Sequence, residues 1–147
     1  MISNIVNLLI ILLISGAFYK LFFFRNHAPV TTIFNETKNI LISQNAVVAA
    51  TYYQRSAGLL NHAKIIEDEA LWILPAKVLH TKGMRFAIDI FFMDKKFKVT
   101  KIYSFVMPSD NLFNCIYGGI SSYSAVELQA GRIKKLGIEA GDKINIS

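Results

Sequence analysis

The chain has 147 residues, 53% of them apolar, and 16 Lys and Arg against 10 Asp and Glu give it a formal charge of +6. One domain is expected at this length, and a single cysteine excludes an intrachain disulfide. Basic residues scattered from Lys20 to Lys143 without a recognition motif exclude a nucleic-acid interface.

Residues 5 to 24, IVNLLIILLISGAFYKLFFF, carry one charge, Lys20, and fourteen of them are Leu, Ile, Val or Phe. Twenty helical residues span about 30 Å, the thickness of a bilayer's hydrocarbon core. The segment therefore predicts a single membrane-spanning helix, with residues 1–25 as an N-terminal anchor. Lys20 lies near its end, where the ammonium reaches the headgroups. The competing reading is a signal segment cleaved after Ala17, in Ser15-Gly16-Ala17. A leader without Lys or Arg and an apolar run that continues to Phe24 favour the anchor. Lys20, Arg25 and Lys38 follow the helix, so the positive-inside rule puts the rest of the chain in the cytoplasm, on very few charges.

Residues 26–39 form a juxtamembrane linker, with Pro29 discouraging further helix, and a first strand. Residues 40–147 form a single β-rich domain. VTTIF and NILIS predict a hairpin around Asn35-Glu36, and NAVVAA a short buried strand. TYYQRSAGLL predicts a helix capped by Thr51 and ending near Asn61. ALWILP is an apolar strand that stops at Pro75. MRFAIDIFFMD and KVTKIYSFV predict strands joined at Asp94-Lys95-Lys96-Phe97. Residues 107–122 read as a loop and YSAVEL as another strand. QAGRIKKLG predicts a short helix stopped by Gly137, before the turn EAGD and a last strand KINIS. The fold class is mainly β: a compact antiparallel sandwich- or barrel-like domain with two short helices, preceded by the transmembrane helix.

The polar residues of VLHTKGMRFAIDIFFMDKKFKV, residues 78 to 99, divide between chemistry and support. On a straight strand Arg85, Ala87 and Asp89 share a face, with Arg85 and Asp89 about 13 Å apart, too far to pair. Either the chain bends near Ala87, or each charge finds a partner elsewhere: Glu127 for Arg85, Arg55 for Asp89. Such pairs satisfy one another inside a β-fold, where a lone charge is costly; the alternative is that Arg85, Asp89 and Glu127 line a pocket for a polar or anionic ligand. His80 is a possible base or ligand, but His27, His62 and His80 lack metal spacing, so no metal is expected. Cys115 has no nucleophile signature around it, and the Ser121–Ser124 region has no GxSxG elbow. No catalytic constellation and no cofactor motif are present. The dense group Lys95, Lys96, Lys98 and Lys101 reads as a solvated face or an attraction to anionic lipid.

QRSAGLL, then DEALWILPAKVLHTKGMRFAIDIFFMD, then VELQAGRIKKLGIEAGDKI occur in that order, with HTKGMRFAIDIFFMD the specific piece. Together they resemble the bacterial and archaeal family catalogued as domain of unknown function 192, over about residues 40 to 147. The resemblance implies a compact, mainly antiparallel β-fold, often behind a signal sequence or anchor. It also implies an Arg, an Asp and a Glu at Arg85, Asp89 and Glu127. It implies no established activity. Relatives commonly have Pro where this chain has Ala87, so a bend here must come from packing. An extracytoplasmic domain is likewise an implication of the resemblance, against the charge count.

The expected function is a membrane-anchored binding or interaction module at the cell envelope, without catalysis. It would contact a protein partner or envelope component through residues 107–122, including Leu112, Phe113, Ile116 and Tyr117. The alternative is an enzyme or receptor for a small polar or anionic ligand, using Arg85, Asp89 and Glu127, with His80 and Arg55 as further ligand-binding candidates.

Overall fold

The computed structural model describes residues 28–111 and 116–147. The expected anchor, the cleavage point after Ala17, His27, Leu112, Phe113 and Cys115 lie outside the described residues. Among the described residues no helix is long and apolar enough to cross a membrane.

The first hairpin forms as expected. β1 (Val30–Asn35) pairs antiparallel with β2 (Ile40–Ala49), and Asn39 makes the turn with φ +57°. β2 is one ten-residue strand, absorbing both NILIS and NAVVAA. α1 (Tyr52–Ala57) begins with the expected cap. Thr51 accepts from Gln54 N–H while Gln54 returns a bond to Thr51 N–H, so two otherwise unsatisfied donors are paired. α1 carries the chain back, so β3 (Glu69–Ile73) lies parallel to β2. This is the one departure from an antiparallel sheet, and its cause is the crossover: a tight turn reverses direction, whereas a helical return restores it.

The rest of the main sheet is β5 (Ile88–Met93), β6 (Val99–Val106), β8 (Ser124–Gln129) and β9 (Ile144–Ile146), in the order β6-β5-β8-β3-β2-β1-β9. β4 (Val78–His80) and β7 (Ile116–Gly118) form a separate two-stranded ribbon. Thus the 107–122 segment, expected as loop, contains a strand. The short helix α2 (Arg132–Leu136) closes with Gly137 at φ +63°, the left-handed stop its sequence predicts. The sheet curls into a half-barrel, and its edges touch where Lys98 bridges Lys143. Val99 N–H donates to Asp142 O and Ile144 N–H to Phe97 O across this seam.

The curl gives the sheet two buried faces. Inside it, Ile33, Ile42, Phe91, Met93, Val126 and Leu128 pack together, with Ile133 of α2 closing one end. Outside, Ile73, Ile88, Ile90, Phe92 and Ala125 pack beneath Leu59, Ile65 and Met84. All six residues of β5 are buried, the pattern of a strand covered on both sides.

Asp89 lies on the inner face among these apolar residues and is fully buried. Its Oδ1 accepts from Phe105 N–H at 2.7 Å, and its Oδ2 accepts from Ile133 N–H at 2.8 Å. Phe105 sits at φ +54° where β6 slips register against β5 between Ile88 and Ile90, so its N–H is turned out of the ladder. Ile133 N–H is a first-turn donor of α2, whose own cap, Gly131, has no side chain to offer. Asp89 therefore secures a bulge and caps a helix from a third element. At the far end of β1, Asn35 Nδ2 donates to Asp142 Oδ2 at 2.8 Å, and Glu139 N–H donates to the same oxygen. That buried pair ties the first hairpin to the GIEAGD turn.

Replacing Asp89 by Ala leaves two donors without an acceptor and is expected to cost about 3 kcal/mol or more. Asp89→Asn is expected to cost roughly 2 kcal/mol, because its NH2 must face one of two N–H groups. Arg85 is exposed, with no ion pair or side-chain hydrogen bond among the described residues. Arg85→Ala should therefore change stability by less than about 0.5 kcal/mol. Denaturant unfolding of the three variants checks this ranking.

Candidate functional site

Strand register separates the residues that the sequence grouped. Asp89 stands opposite Leu128, and Glu127 opposite Ile90. Directly opposed residues share a face and consecutive residues alternate. Asp89 thus points into the curl and Glu127 to the outer face, so they line no common pocket. Residues 84–87 precede β5, with a bend at Phe86, so Arg85 is not on the strand at all. The expected Arg85–Glu127 pair is absent because Arg85 is turned to solvent. The expected Arg55–Asp89 pair is absent because backbone N–H groups satisfy Asp89.

On the outer face, α1 and its following turn stand over the sheet beside the β4–β7 ribbon, leaving a cavity of about 310 Å³. Tyr52, Arg55 and Leu59 come from the α1 side, Leu79 and His80 from β4, and Ile73 and Met84 fill in the apolar wall. Glu127 of β8 lines its base. The structure therefore brings Arg55, His80 and Glu127 together and leaves Arg85 and Asp89 elsewhere.

Glu127 is only 4% exposed, and its Oε2 is buried with no hydrogen-bond partner among the described residues. Its neighbours across the ladders, Leu71 of β3 and Ile90 of β5, offer neither charge nor donor. Burial alone pushes the Glu127 carboxyl up to about 8, so at neutral pH it carries a proton. Arg55 is half-buried, and its Nη1 donates to the carbonyls of Ala50 and Leu74, which fixes the guanidinium beside the α1 entry. No ion pair links Arg55 to Glu127 although both border the same space. His80 is exposed at the rim.

A second cavity of about 660 Å³ lies under residues 57–71 and shares Ala57, Gly58 and Leu59 with the first. Ala28 and Val30 border it, so the chain enters the domain beside it. Asp68 at its edge accepts from Gln44 N–H and Asn45 Nδ2, which ties the covering segment to β2. Among the described residues no three His, Cys, Asp or Glu side chains are grouped to hold a metal ion. Sequence reasoning singled out Glu127 as a charge in an apolar strand. It missed Tyr52, Leu79 and Met84 as cavity walls, because an apolar residue facing a cavity carries the same local signal as one facing a core. It missed the Asn35–Asp142 pair as well, although an Asn and an Asp at two turns were legible signals.

The fold is shared with solved structures. A protein of unknown function from Novosphingobium aromaticivorans superposes with a TM-score of 0.67 at 19% identity, covering 79% of this chain and 83% of that one. A Sinorhizobium meliloti protein described as a proposed transcription regulator gives 0.68 at 17% identity, covering 79% and 91%. No curated protein matches the sequence. A family model described as an uncharacterized ACR matches residues 31–146, nearly the whole described domain. The chain belongs to the domain of unknown function 192 family.

Proposed function

We infer that the protein is a non-catalytic binding module, tethered to a membrane by the apolar segment 5–24, whose binding site is the cavity over Glu127. One observation carries this reading: Glu127, which lines the cavity, has a buried carboxyl oxygen that no group among the described residues satisfies. An unmet buried acceptor costs roughly 1–3 kcal/mol, and here it belongs to a residue that lines the cavity, where an incoming group could offset that cost. The volume lies at the small end of ligand pockets, and the wall is mainly apolar with a few polar groups. A position at the cell envelope accords with the anchor and with the chain entering the domain beside the second cavity.

A second reading, contact with an envelope protein through residues 107–122, draws support from the exposure of Met107, Ile116 and Ile120. Ile120→Glu would abolish a partner's binding if that segment is the contact, and leave it intact otherwise.

The cavity reading is tested by filling the space. Ala57 borders both cavities, and Ala57→Phe is expected to abolish the thermal shifts that small ligands produce in a screen of the full-length chain. Shifts that persist undiminished in a folded Ala57→Phe protein would overturn it.

The state of Glu127 makes a separate prediction. Unfolded, its carboxyl titrates near 4.5; folded, near 8. The native state therefore binds the extra proton between these values. The associated stability is present in full below pH 4.5 and is lost as pH rises through 8, a change on the order of a few kcal/mol. Glu127→Gln removes this dependence. The variant should match the parent near pH 5 and exceed it in stability by pH 9, measured by denaturant unfolding at each pH.

A further inference from the structure

The binding reading leaves open what the cavity takes, and its polar groups narrow the answer. A carboxyl buried without a counter-charge neutralises itself by keeping its proton, so Glu127 presents an O–H donor as well as acceptor lone pairs. The other titratable side chains lining the cavity are Tyr52 and Arg55 of α1 and His80 of β4. From β3 and β5 the residues beside Glu127 are Leu71 and Ile90, which are uncharged. A cationic ligand would share this space with the Arg55 guanidinium, and like charges repel most where water is scarce. An anion meets the opposite case, with a fixed guanidinium at the wall and a proton donor at the base. Apart from Ser56 the remainder of the wall is apolar, so the body of the ligand is apolar.

We propose that the cavity binds a monocarboxylate carrying an apolar body, its carboxylate accepting the hydrogen bond of the Glu127 carboxyl and lying within the field of Arg55. This rests on the reading of the cavity as the binding site. The O–H···O⁻ bond between an acid and a carboxylate is charge-assisted and stronger than a neutral one. It requires one proton between two carboxyl groups, because two carboxylates at that distance repel. No bond is made or broken, and the proton stays between the two oxygens. Binding therefore uses the protonated form of Glu127 and weakens as that form is lost. With the carboxyl near 8, the apparent affinity falls about tenfold between pH 6 and pH 9.

The test uses the full-length chain and three probes with one body and different heads: hexanoate, hexanamide and hexylammonium. Titration calorimetry at pH 6 and pH 9, corrected by a protein-free blank, reads their affinities. Hexanoate should bind most tightly at pH 6 and about tenfold more weakly at pH 9. In Glu127→Gln the amide NH2 replaces the carboxyl O–H as donor, so hexanoate should still bind, and its affinity should fall less between the two pH values than in the parent. Hexylammonium binding more tightly than hexanoate would overturn the ligand class, as would hexanoate affinity that does not fall with pH in the parent protein, or an absence of hexanoate binding. Binding of hexylammonium or hexanamide that exceeds that of hexanoate and that Ala57→Phe removes would overturn the carboxylate while leaving the cavity as the site. Hexanoate bound undiminished by a folded Ala57→Phe protein would overturn both.

Discussion

The two hydrogen bonds accepted by Asp89 tie a pair of neighbouring strands and a helix to one carboxylate. β5 lies at the centre of one half of the sheet, Phe105 marks a break in its neighbour β6, and α2 closes the curl. A bulge frees a backbone donor and a helix start exposes several; both are costly inside a protein. One carboxylate with two oxygens answers both, so the position of α2 and the bend of β6 are set by the same side chain. The inner core depends on this, because Ile133 plugs the curl only if the first turn of α2 sits over β5.

Strand alternation then divides the labour of the acidic residues. Asp89 and Glu127 sit on adjacent strands one register step apart, yet they face opposite sides of the sheet. On the inner side the carboxylate is fully used. On the outer side the Glu127 carboxyl is buried too, but its Oε2 has no partner among the described residues, and the residue lines a cavity instead of meeting backbone donors. Two residues of similar chemistry thus stand in opposite states, and the difference lies in what the opposite element supplies. α1 brings Arg55 to the cavity wall but spends part of that guanidinium on the carbonyls of Ala50 and Leu74. This immobilises the charge without neutralising it.

Local chemistry was legible where it is locally decided. The Thr51–Gln54 cap, the Gly137 stop and the Asp94–Phe97 turn, in which Asp94 accepts from Lys96 and Lys98 N–H, all follow from residues within a few positions. The mainly β character and the two short helices followed from the same signals. What escaped was non-local. The parallel placement of β3 depends on where α1 delivers the chain. The ribbon of β4 and β7 pairs Val78–His80 with Ile116–Gly118 across nearly forty residues, and neither strand is long enough to announce itself. The partners of Asp89 are backbone groups, which every residue possesses, so no search among charged side chains could have found them. The fate of Arg85 shows the converse: a charge beside an apolar run looks buried until the strand is seen to begin three residues later, at Ile88.

The order of the sheet also bears on when it can form. β1, the first strand along the chain, takes one of its two neighbours from β9, the last, and β5 receives β8 from some forty residues downstream. Long-range pairings of this kind close slowly, since the chain between them must be ordered before the contact repays it. Until residues 144–146 emerge from the ribosome, the outer edge of β1 is bare and the seam at Lys98 and Lys143 is unmade. A chain of this topology leaves its main sheet incomplete until nearly all of it has been synthesised. Completion of the domain therefore waits on β9, and the hairpins made before it stand with an open edge.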